Sequence, residues 1–514
     1  MDKLANKKVL VVGLGASGVA AARLLRRLNA SVCAIDAGST EALQTVAETL
    51  GSDDVTVRLG VHGTEDGEYD LVVLSPGVPL TSPMLRKILQ RKTRIISEFE
   101  LGCQYSRCPS VAITGTNGKT TTTELVERML NHADRPTVAA GNIGTPVCEV
   151  VERSRELDFL TLEVSSFQLE TIESFRPTVG VLLNITPDHL DRHGSMDAYV
   201  RAKALLFRNQ QVFDWAVIQE GALARLRALD LPIPSKVITF GTESRKADLY
   251  FDRGLIISRI PGWTGPLLDL ETCQLRGVHN AENLMAALAV GHILGVSLSL
   301  MTGALRSYES APHRCELVAE IDGVRFVNDS KATNIDALEK AVLAMPAGAM
   351  GEPNIFLIAG GKEKGLQYHD AGPLLARRVK RVFLLGEARE TIRAAWSLFT
   401  PCSVVNSLLE AVSEAVRSTR SGDVVLLSPG CSSFDMFQNY RHRGELFRQA
   451  VLEVTGNSRR LSPVAPASSP EKADGRSRRT AEATVKKTSS RARSRSGLAG
   501  ASSESIPQPS QSLS

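Results

Sequence analysis

The sequence predicts an α/β protein of three doubly wound domains, and three observations carry that prediction. Short apolar runs that read as strands alternate with amphipathic stretches that read as helices, from residue 8 to about residue 455. Two of the strand-to-helix junctions, at Gly13 and Gly115, are glycine loops, the pattern of a parallel sheet that receives phosphate at a helix N-terminus. At 514 residues the chain also exceeds what one hydrophobic core organises.

Residues 1–97 read as the first unit, a Rossmann-like domain. Lys8–Val12 is a strand, 17–28 an apolar-faced helix, Ser31–Ile35 a strand closing on Asp36, and Leu71–Leu74 a strand ending at Ser75, Pro76 and Gly77. Between the first strand and helix lies Gly13-Leu14-Gly15-Ala16-Ser17-Gly18. Such a GxGxxG turn suggests NAD and an oxidoreductase when read alone. Its physical content is broader: a pyrophosphate at a helix N-terminus and an acidic group for a ribose or base. A UDP moiety meets both needs.

Residues 98–310 form a larger central unit that begins at SVAITGTNGKTTTTE, residues 110–124. An apolar strand enters Gly115, Thr116, Asn117 and Gly118, and Lys119, Thr120 and Thr121 open a helix. Glycine lets backbone N–H groups turn onto phosphate oxygens, and the helix N-terminus adds partial positive charge. Lys119 can reach terminal phosphates and the Thr120 hydroxyl can ligate magnesium. The loop is shorter than the usual GxxxxGK[ST] form.

Glu163 follows the apolar run 159–162 and precedes Ser165, Phe167 and Gln168; a carboxylate leaving a strand beside a phosphate loop is placed to bind magnesium. The run 181–185 leads to Asp188 and His189. Either can ligate a second cation, although a loop cap or a satisfied histidine fits the spacing equally well. Lys203, on a helix expected over 196–207, reads by itself as a solvated lysine, and another helix is expected over 281–294. A third α/β unit covers 311–455, with strands at 355–358, 382–385 and 424–427.

Hydrophobic content of 43% and a mean hydropathy of −0.04 fit a soluble globular chain, and no apolar run approaches the length that spans a bilayer. MDKLANKKVLVVGLG is a strand entering a turn rather than a signal peptide. Eight scattered cysteines without a CxxC pair suit a reducing cytoplasm and indicate neither zinc nor a disulfide framework. The net charge of +4 belongs to the tail: from Gly456 onward 11 basic and 4 acidic residues occur, leaving the first 455 residues near −3. Residues 456–514, rich in Ser, Arg, Ala and Pro, lack the apolar surface to offset ordering entropy and are expected to be disordered. No aromatic residue interleaves their charges, which favours a solvated extension over a nucleic-acid-binding tail.

Taken together these segments resemble the Mur ligase family, ATP-dependent amide-forming enzymes of cytoplasmic peptidoglycan precursor synthesis. The similarity covers nearly all of residues 5–453. It rests on GLGASG at Gly13, SPGV at Ser75, GTNGKTT at Gly115, GNIG at Gly141, LEVSSFQLE at Leu162 and NITPDHLDRH at Asn184. HNAEN at His279, PHRCE at Pro312, NDSKATN at Asn328 and SPGCSSFDMFQNYRHRG at Ser428 extend it.

The resemblance implies a UDP-sugar domain over 1–97, a P-loop ATPase-like domain over 98–310 and a Rossmann-like amino-acid domain over 311–455. It implies that Thr120 and Glu163 ligate the magnesium of ATP, that His189 ligates a second magnesium, and that Lys203 is a carbamylated, metal-facing lysine. An unmodified lysine, with a pKa of about 10.4, is neutral in only about one molecule in a thousand at pH 7.5, so a carbamate needs stabilising partners. Asn283 is expected near adenine, with Arg314, Asp329 and Lys331 completing the nucleotide site. Gly15, Ala16, Ser17, Asp36, Ser75, Gly77, Asn142, Ser165 and Gln168 are expected along the UDP-sugar path. Ala37 stands where relatives often carry a larger polar residue, which puts individual uracil contacts in doubt.

NDSKATN resembles the glutamate-adding branch, and no DNPR signature is present. A dicarboxylate needs cationic and hydroxyl partners. The resemblance assigns these to Lys331, Thr333, Lys364 and Ser433, with Phe434 and Tyr440 nearby; Lys362 lies close enough to exchange roles with Lys364. The implied reaction adds D-glutamate to UDP-N-acetylmuramoyl-L-alanine through an acyl phosphate, releasing ADP and phosphate, with ATP, Mg²⁺, no membrane, no nucleic acid and a monomeric chain. Folylpolyglutamate-type ligases share the phosphate loop, but GLGASG speaks against them, and a dehydrogenase has no need of the second loop. A chain truncated at Gly456 is expected to retain ligase activity, whereas any nucleic-acid binding should vanish with the tail; an inactive truncated chain contradicts the reading of the tail as an extension.

Overall fold

The computed structural model describes residues 4–456 except 64, 66, 276 and 310, so the expected disorder of the tail lies outside the described residues. Three sheets follow one another along the chain. The first contains β1 (Lys8–Val12), β2 (Ser31–Ile35), β3 (Thr56–Arg58), β4 (Leu71–Leu74) and β5 (Arg94–Ser97) in the order β3-β2-β1-β4-β5, all parallel. The chain winds to both sides of β1, and the Gly13 turn leaves its carboxyl end, where open α/β sheets take ligands.

The central sheet comprises β6 (Ser110–Thr114), β7 (Thr137–Gly141), β8 (Phe159–Glu163), β9 (Val179–Leu182), β10 (Trp215–Gln219), β11 (Lys236–Gly241), β12 (Leu249–Asp252), β13 (Leu255–Ser258) and β14 (Gly265–Asp269). Their order is β14-β13-β12-β11-β10-β9-β6-β8-β7. Here β6 is the strand at which the winding reverses, and the Gly115 loop leaves it. The third sheet orders β15 (Glu316–Ile321), β16 (Val324–Asn328), β17 (Ile355–Gly360), β18 (Val379–Leu385), β19 (Cys402–Val404) and β20 (Val424–Leu427) as β15-β16-β20-β17-β18-β19.

The expectation of purely parallel sheets needs correction at two edges. β12–β13–β14 and β15–β16 pair antiparallel. Residues 259–264 join β13 to β14, whereas two-residue loops impose the antiparallel pairing at the other two pairs: Asp322-Gly323 joins β15 to β16 and Arg253-Gly254 joins β12 to β13, with all four residues at positive φ. A connection that short forms a hairpin and leaves no length for a crossover.

Elsewhere the burial pattern follows the parallel rule. Every residue of β4, β6, β8, β9, β17 and β20 is buried, because helices cover both faces. Glycine is required where backbones meet. A Cβ on Gly18 would lie 1.9 Å from the Gly13 carbonyl oxygen, and one on Gly118, at φ +85°, would lie 2.2 Å from Asn283 Oδ1.

The first two sheets share a core: Leu101, Cys148 and Val151 of the central segment pack with Val9, Val11, Leu24 and Leu25. Glu98 sits at this junction, 1% exposed, with Oε1 accepting from the Cys148 amide at 2.7 Å and Oε2 buried without a partner. Burial pushes its pKa up to about 7. Between pH 4.5 and 7 the native state therefore holds a proton that the unfolded chain has released, so this group's contribution is greatest at low pH and is lost as pH rises through 7. Glu98→Gln is expected to stabilise the protein at pH 8.5 by up to about 3 kcal/mol, a few degrees in thermal midpoint, and to change little at pH 5. Equal shifts at both pH values contradict the assignment.

Candidate active site

The second glycine turn is the loop between β6 and the helix Lys119–His132. Gly118, in the left-handed region, is the helix N-cap and offers no capping side chain. The loop is held from behind by Asn184, whose Oδ1 accepts from the Asn117 amide at 2.8 Å and whose Nδ2 donates to the Asn117 carbonyl at 3.0 Å. Thr116 adds hydrogen bonds with the backbone of Thr186 and with the Tyr199 hydroxyl. Lys119 Nζ donates to the carbonyls of Gly115 and Thr116, at 3.0 and 2.7 Å. Thr120 and Thr121 follow on the first helical turn.

Lys203 is 1% exposed, on the helix Met196–Ala204, and donates to the same Gly115 carbonyl at 2.7 Å while lying 4.5 Å from the Tyr199 ring centre. Burial, reinforced by Lys119, holds its pKa well below the ordinary lysine value. The reading of this residue as solvated, taken without context, is thus replaced by a fully buried amine with an increased neutral fraction.

Glu163 ends β8, buried at 2% exposure. Its Oε1 accepts from Asn142 Nδ2 at 2.7 Å, and its Oε2 is buried with no partner. A buried carboxylate oxygen without a donor suits a hard divalent cation. His189 N-caps the short helix Leu190–His193 at φ 54°, and its pKa is pushed down to about 4, chiefly by burial. It is neutral at physiological pH and ready to act as a ligand without releasing a proton. The segment is fixed by His193, whose Nε2 lies 2.9 Å from Ser166 Oγ and whose Nδ1 lies 3.4 Å from Glu170. Among the described residues no group of three or more His, Cys, Asp or Glu forms a self-sufficient metal cage.

Across the domain boundary a cavity of about 600 Å³ runs from Asn117, Gly118 and Thr121 past Asn283 to Arg314, Asp329 and Lys331. Arg314 is presented by an unusual backbone, with His313 at φ 68° and Cys315 at φ 46° on either side. Asp329 accepts from Ser428 Oγ at 3.0 Å and from the Cys315 amide at 3.2 Å, and burial raises its pKa to about 7. Lys331 Nζ lies 4.0 Å from the Tyr440 ring centre. Burial lowers the pKa of both Lys119 and Lys331; Glu163 opposes the shift in each, and Arg314 adds to it.

Of the two lysines in GGKEKG, Lys362 is exposed and Lys364 is 9% exposed. Lys364 Nζ reaches Asp188 Oδ1 at 3.3 Å and the Thr333 carbonyl at 3.2 Å. Glu363 shapes that loop by accepting from the amides of Lys364 and Gly365 and from the Tyr368 hydroxyl. Ser433 is buried nearby in sequence to Phe434, which is 69% exposed. Asp188, read from sequence as a cation ligand or a loop cap, pairs instead with Lys364 across 176 residues, a partnership the sequence did not reveal.

At the first glycine turn, Gly15 caps the helix Ala16–Arg27 without a side-chain hydrogen bond, so its N-terminus, with Ala16 and Ser17, remains open to an anion. Asp36 accepts from the Leu14 amide through Oδ2 and the Gly38 amide through Oδ1, each at 2.7 Å. Ser75 Oγ donates to the Gly13 carbonyl at 2.7 Å, with Gly77 exposed just beyond it. Ser165 and Gln168 form a capping box for the helix Ser166–Leu169. These side chains therefore shape the turn and the loop in addition to any contact with a ligand.

Two glycine turns that open helices in different domains, with a cation-rich cavity between the central and C-terminal domains, are the architecture of a nucleotide-dependent enzyme. Three family models match in succession: the Mur ligase MurD-like N-terminal domain over residues 7–97, the Mur ligase middle domain over 113–291 and the Mur ligase glutamate ligase domain over 313–431. A UDP-N-acetylmuramoylalanine–D-glutamate ligase of Acidobacterium capsulatum is 43% identical over 458 residues, 88% of this chain and 98% of its own. One of Pelotomaculum thermopropionicum is 42% identical over 454 residues, 87% and 98% of the respective chains. Among solved structures, MurF ligase from Thermotoga maritima in complex with ADP shares the fold, with a TM-score of 0.55 at 15% identity over 89% of this chain and 99% of that one. The chain belongs to the Mur ligase family.

Asn142 is the donor that orients Glu163. Asn142→Ala is expected to raise the Mg²⁺ concentration for half-maximal activity by about tenfold or more, as loss of a ligand-orienting partner does. An unchanged Mg²⁺ requirement removes Glu163 from the cation site.

Proposed function

We propose that this enzyme adds D-glutamate to UDP-N-acetylmuramoyl-L-alanine with cleavage of ATP to ADP and phosphate, a cytoplasmic step of peptidoglycan precursor synthesis. The observation that carries the reading is the meeting of central and C-terminal domains: Lys364, 9% exposed, lies against Asp188, on the loop that also supplies His189. The identity to ligases of that name over nearly their whole length supports the same reading.

A carboxylate is a poor electrophile, so the alanyl carboxylate first takes a phosphoryl group from ATP. The phosphate loop and Lys119 bind the triphosphate, while Asn283, Arg314, Asp329 and Lys331 hold the rest of the nucleotide. Lys119, Lys331 and Arg314 gather positive charge where negative charge accumulates on the transferring group. Thr120, Glu163 and His189 would hold magnesium, which would supply further neutralisation when bound. D-Glutamate is held by Lys364, Thr333 and Ser433, with Tyr440 and Phe434 flanking, and its neutral amine displaces phosphate. The UDP-sugar lies along Gly15, Ala16, Ser17, Asp36, Ser75, Gly77, Asn142, Ser165 and Gln168.

Lys203 is proposed to act as its carbamate. Only the neutral amine captures carbon dioxide, and the burial that lowers its pKa enlarges that fraction. The modification also exchanges a buried cation beside Lys119 for an anion that faces it.

Phosphate release with UDP-N-acetylmuramoyl-L-alanine and a panel of D- and L-amino acids tests the assignment. D-Glutamate alone is expected to support turnover, and equal turnover with L-glutamate or none with any amino acid overturns it. Lys203→Ala should lose nearly all activity and regain part of it with added short carboxylic acids. A fully active variant without them disproves the carbamate.

A further inference from the structure

The amide of Asn334 is used to its full capacity, and its partners belong to three different parts of the site. Asn334 is 2% exposed and N-caps the helix Ile335–Ala344, with Oδ1 accepting from the Ala337 amide at 2.9 Å. The same oxygen accepts from Asn117 Nδ2 at 3.2 Å. Its Nδ2 donates to Asn117 Oδ1 at 3.1 Å and to Asp188 Oδ2 at 3.1 Å. An asparagine amide carries two donors and two acceptor sites, so all four are engaged. Aspartate lacks the donors and serine has one, so neither can reproduce the set.

The partners form a continuous path. Asn117 lies within the phosphate loop, and its side chain reaches only C-terminal-domain groups, Asn334 and Asp336, in the hydrogen bonds it makes here. Asp188 accepts from two C-terminal-domain groups, through Oδ2 from Asn334 and through Oδ1 from Lys364, and Oδ1 also accepts from the His189 amide. The path thus runs from the loop that cradles phosphate, through Asn334 and Asp188, to the lysine assigned to the amino acid.

We propose that Asn334 is a positioning residue that makes the amino-acid subsite depend on a correctly seated phosphate loop. A loop that shifts Asn117 removes two of the four hydrogen bonds of Asn334, leaving the Ala337 amide and Asp188 as partners, and the hold of Asn334 on Asp188 Oδ2, and through it on Lys364, is loosened. Capture of the amino acid is then weak until the loop is in place. The identity of the amino acid rests on the function proposed above; the coupling between loop and Lys364 does not.

Asn334→Ser keeps an oxygen to cap the helix while removing the paired donations to Asn117 and Asp188. The variant is expected to retain its thermal midpoint and to bind ADP within about threefold of the native affinity. Its KM for D-glutamate should rise about tenfold or more with a fall in kcat. Asn117→Ala should reduce activity as well, and the double variant should be no worse than the weaker single one, because both remove the same link. A second readout needs no D-glutamate: ADP is expected to slow hydrogen exchange in residues 361–366 of the native protein and not in Asn334→Ser. Additive losses, an unchanged KM for D-glutamate, activity restored merely by cooling, or ADP protection of 361–366 that survives in the variant would each overturn the proposal. Failure of D-glutamate turnover in the native enzyme, with the exchange result intact, refutes the substrate and leaves the coupling standing.

Discussion

The constraint on which the site depends is the burial of several cations in one place. Lys119 and Lys203 donate to the same carbonyl, that of Gly115, and Lys331 and Arg314 arrive from the C-terminal domain. Two buried carboxylates, Glu163 and Asp188, face them and offset part of the repulsion. Burial depresses the lysine pKa values because water no longer solvates the charge, and each neighbouring cation adds to the effect. A polyphosphate is the ligand that such a field favours, since it supplies the negative charge that two carboxylates leave short. The same field explains why His189 is neutral: Lys364, Lys119 and Lys203 reinforce the effect of its burial against the pull of Asp188.

Placing these groups takes three sheets because their chemistry comes from separate stretches of sequence. β6 and β8 lie side by side in the central sheet, so Lys119 and Glu163 emerge at the same edge although 44 positions apart. β9 pairs with the other side of β6 and delivers Asn184, Asp188 and His189. The C-terminal loops are drawn together by Arg443, which is 1% exposed and donates to Ser330 Oγ, the Ser330 carbonyl and the Cys431 carbonyl. Its partners are neutral oxygens, so burial lowers its pKa to about 10 without removing its charge at pH 7. That cation ties NDSKATN to SPGCSS and so fixes Lys331, Thr333 and Ser433 relative to one another.

What the sequence made legible was local. A glycine loop between an apolar strand and a helix announces itself because the backbone geometry needs glycine within a few residues, and both such turns were found. The carboxylate Glu163 was visible because it interrupts an apolar run at a strand end. Pairings across long separations were not visible. Asp188 with Lys364 and Asn117 with Asn334 involve ordinary polar residues whose partners lie 176 and 217 positions away, and no local pattern distinguishes them from caps. Lys362 and Lys364 were interchangeable on spacing, and only the bridge of Lys362 to Ser432 determines which of them turns inward. The two edge hairpins were missed for a different reason: alternating strands and helices dominated the reading, although Asp322-Gly323 is itself a strong hairpin signal.

Arg314 shows how the molecule holds an interdomain segment in shape. Non-glycine residues in the left-handed region cost on the order of 1 kcal/mol each, and His313 and Cys315 both adopt it. The surrounding hydrogen bonds offset that cost. The His313 amide donates to Glu316 at 3.0 Å, the Cys315 amide donates to Asp329 at 3.2 Å, and the His313 ring lies 2.9 Å from Asn328 Nδ2. A Cβ on Gly444 would fall 2.2 Å from His313 Nδ1, so the ring also depends on the helix Tyr440–Thr455 having glycine at that point. Each support comes from the C-terminal domain. Arg314 is therefore held within the C-terminal domain, at the edge that lines the cavity shared with the central domain. Lys331 shares that edge, because its amide donates to the His313 carbonyl at 3.1 Å. The two cations therefore face the cavity beside Asn117 and Gly118 as one unit, held by the same backbone rather than by independent side-chain adjustments.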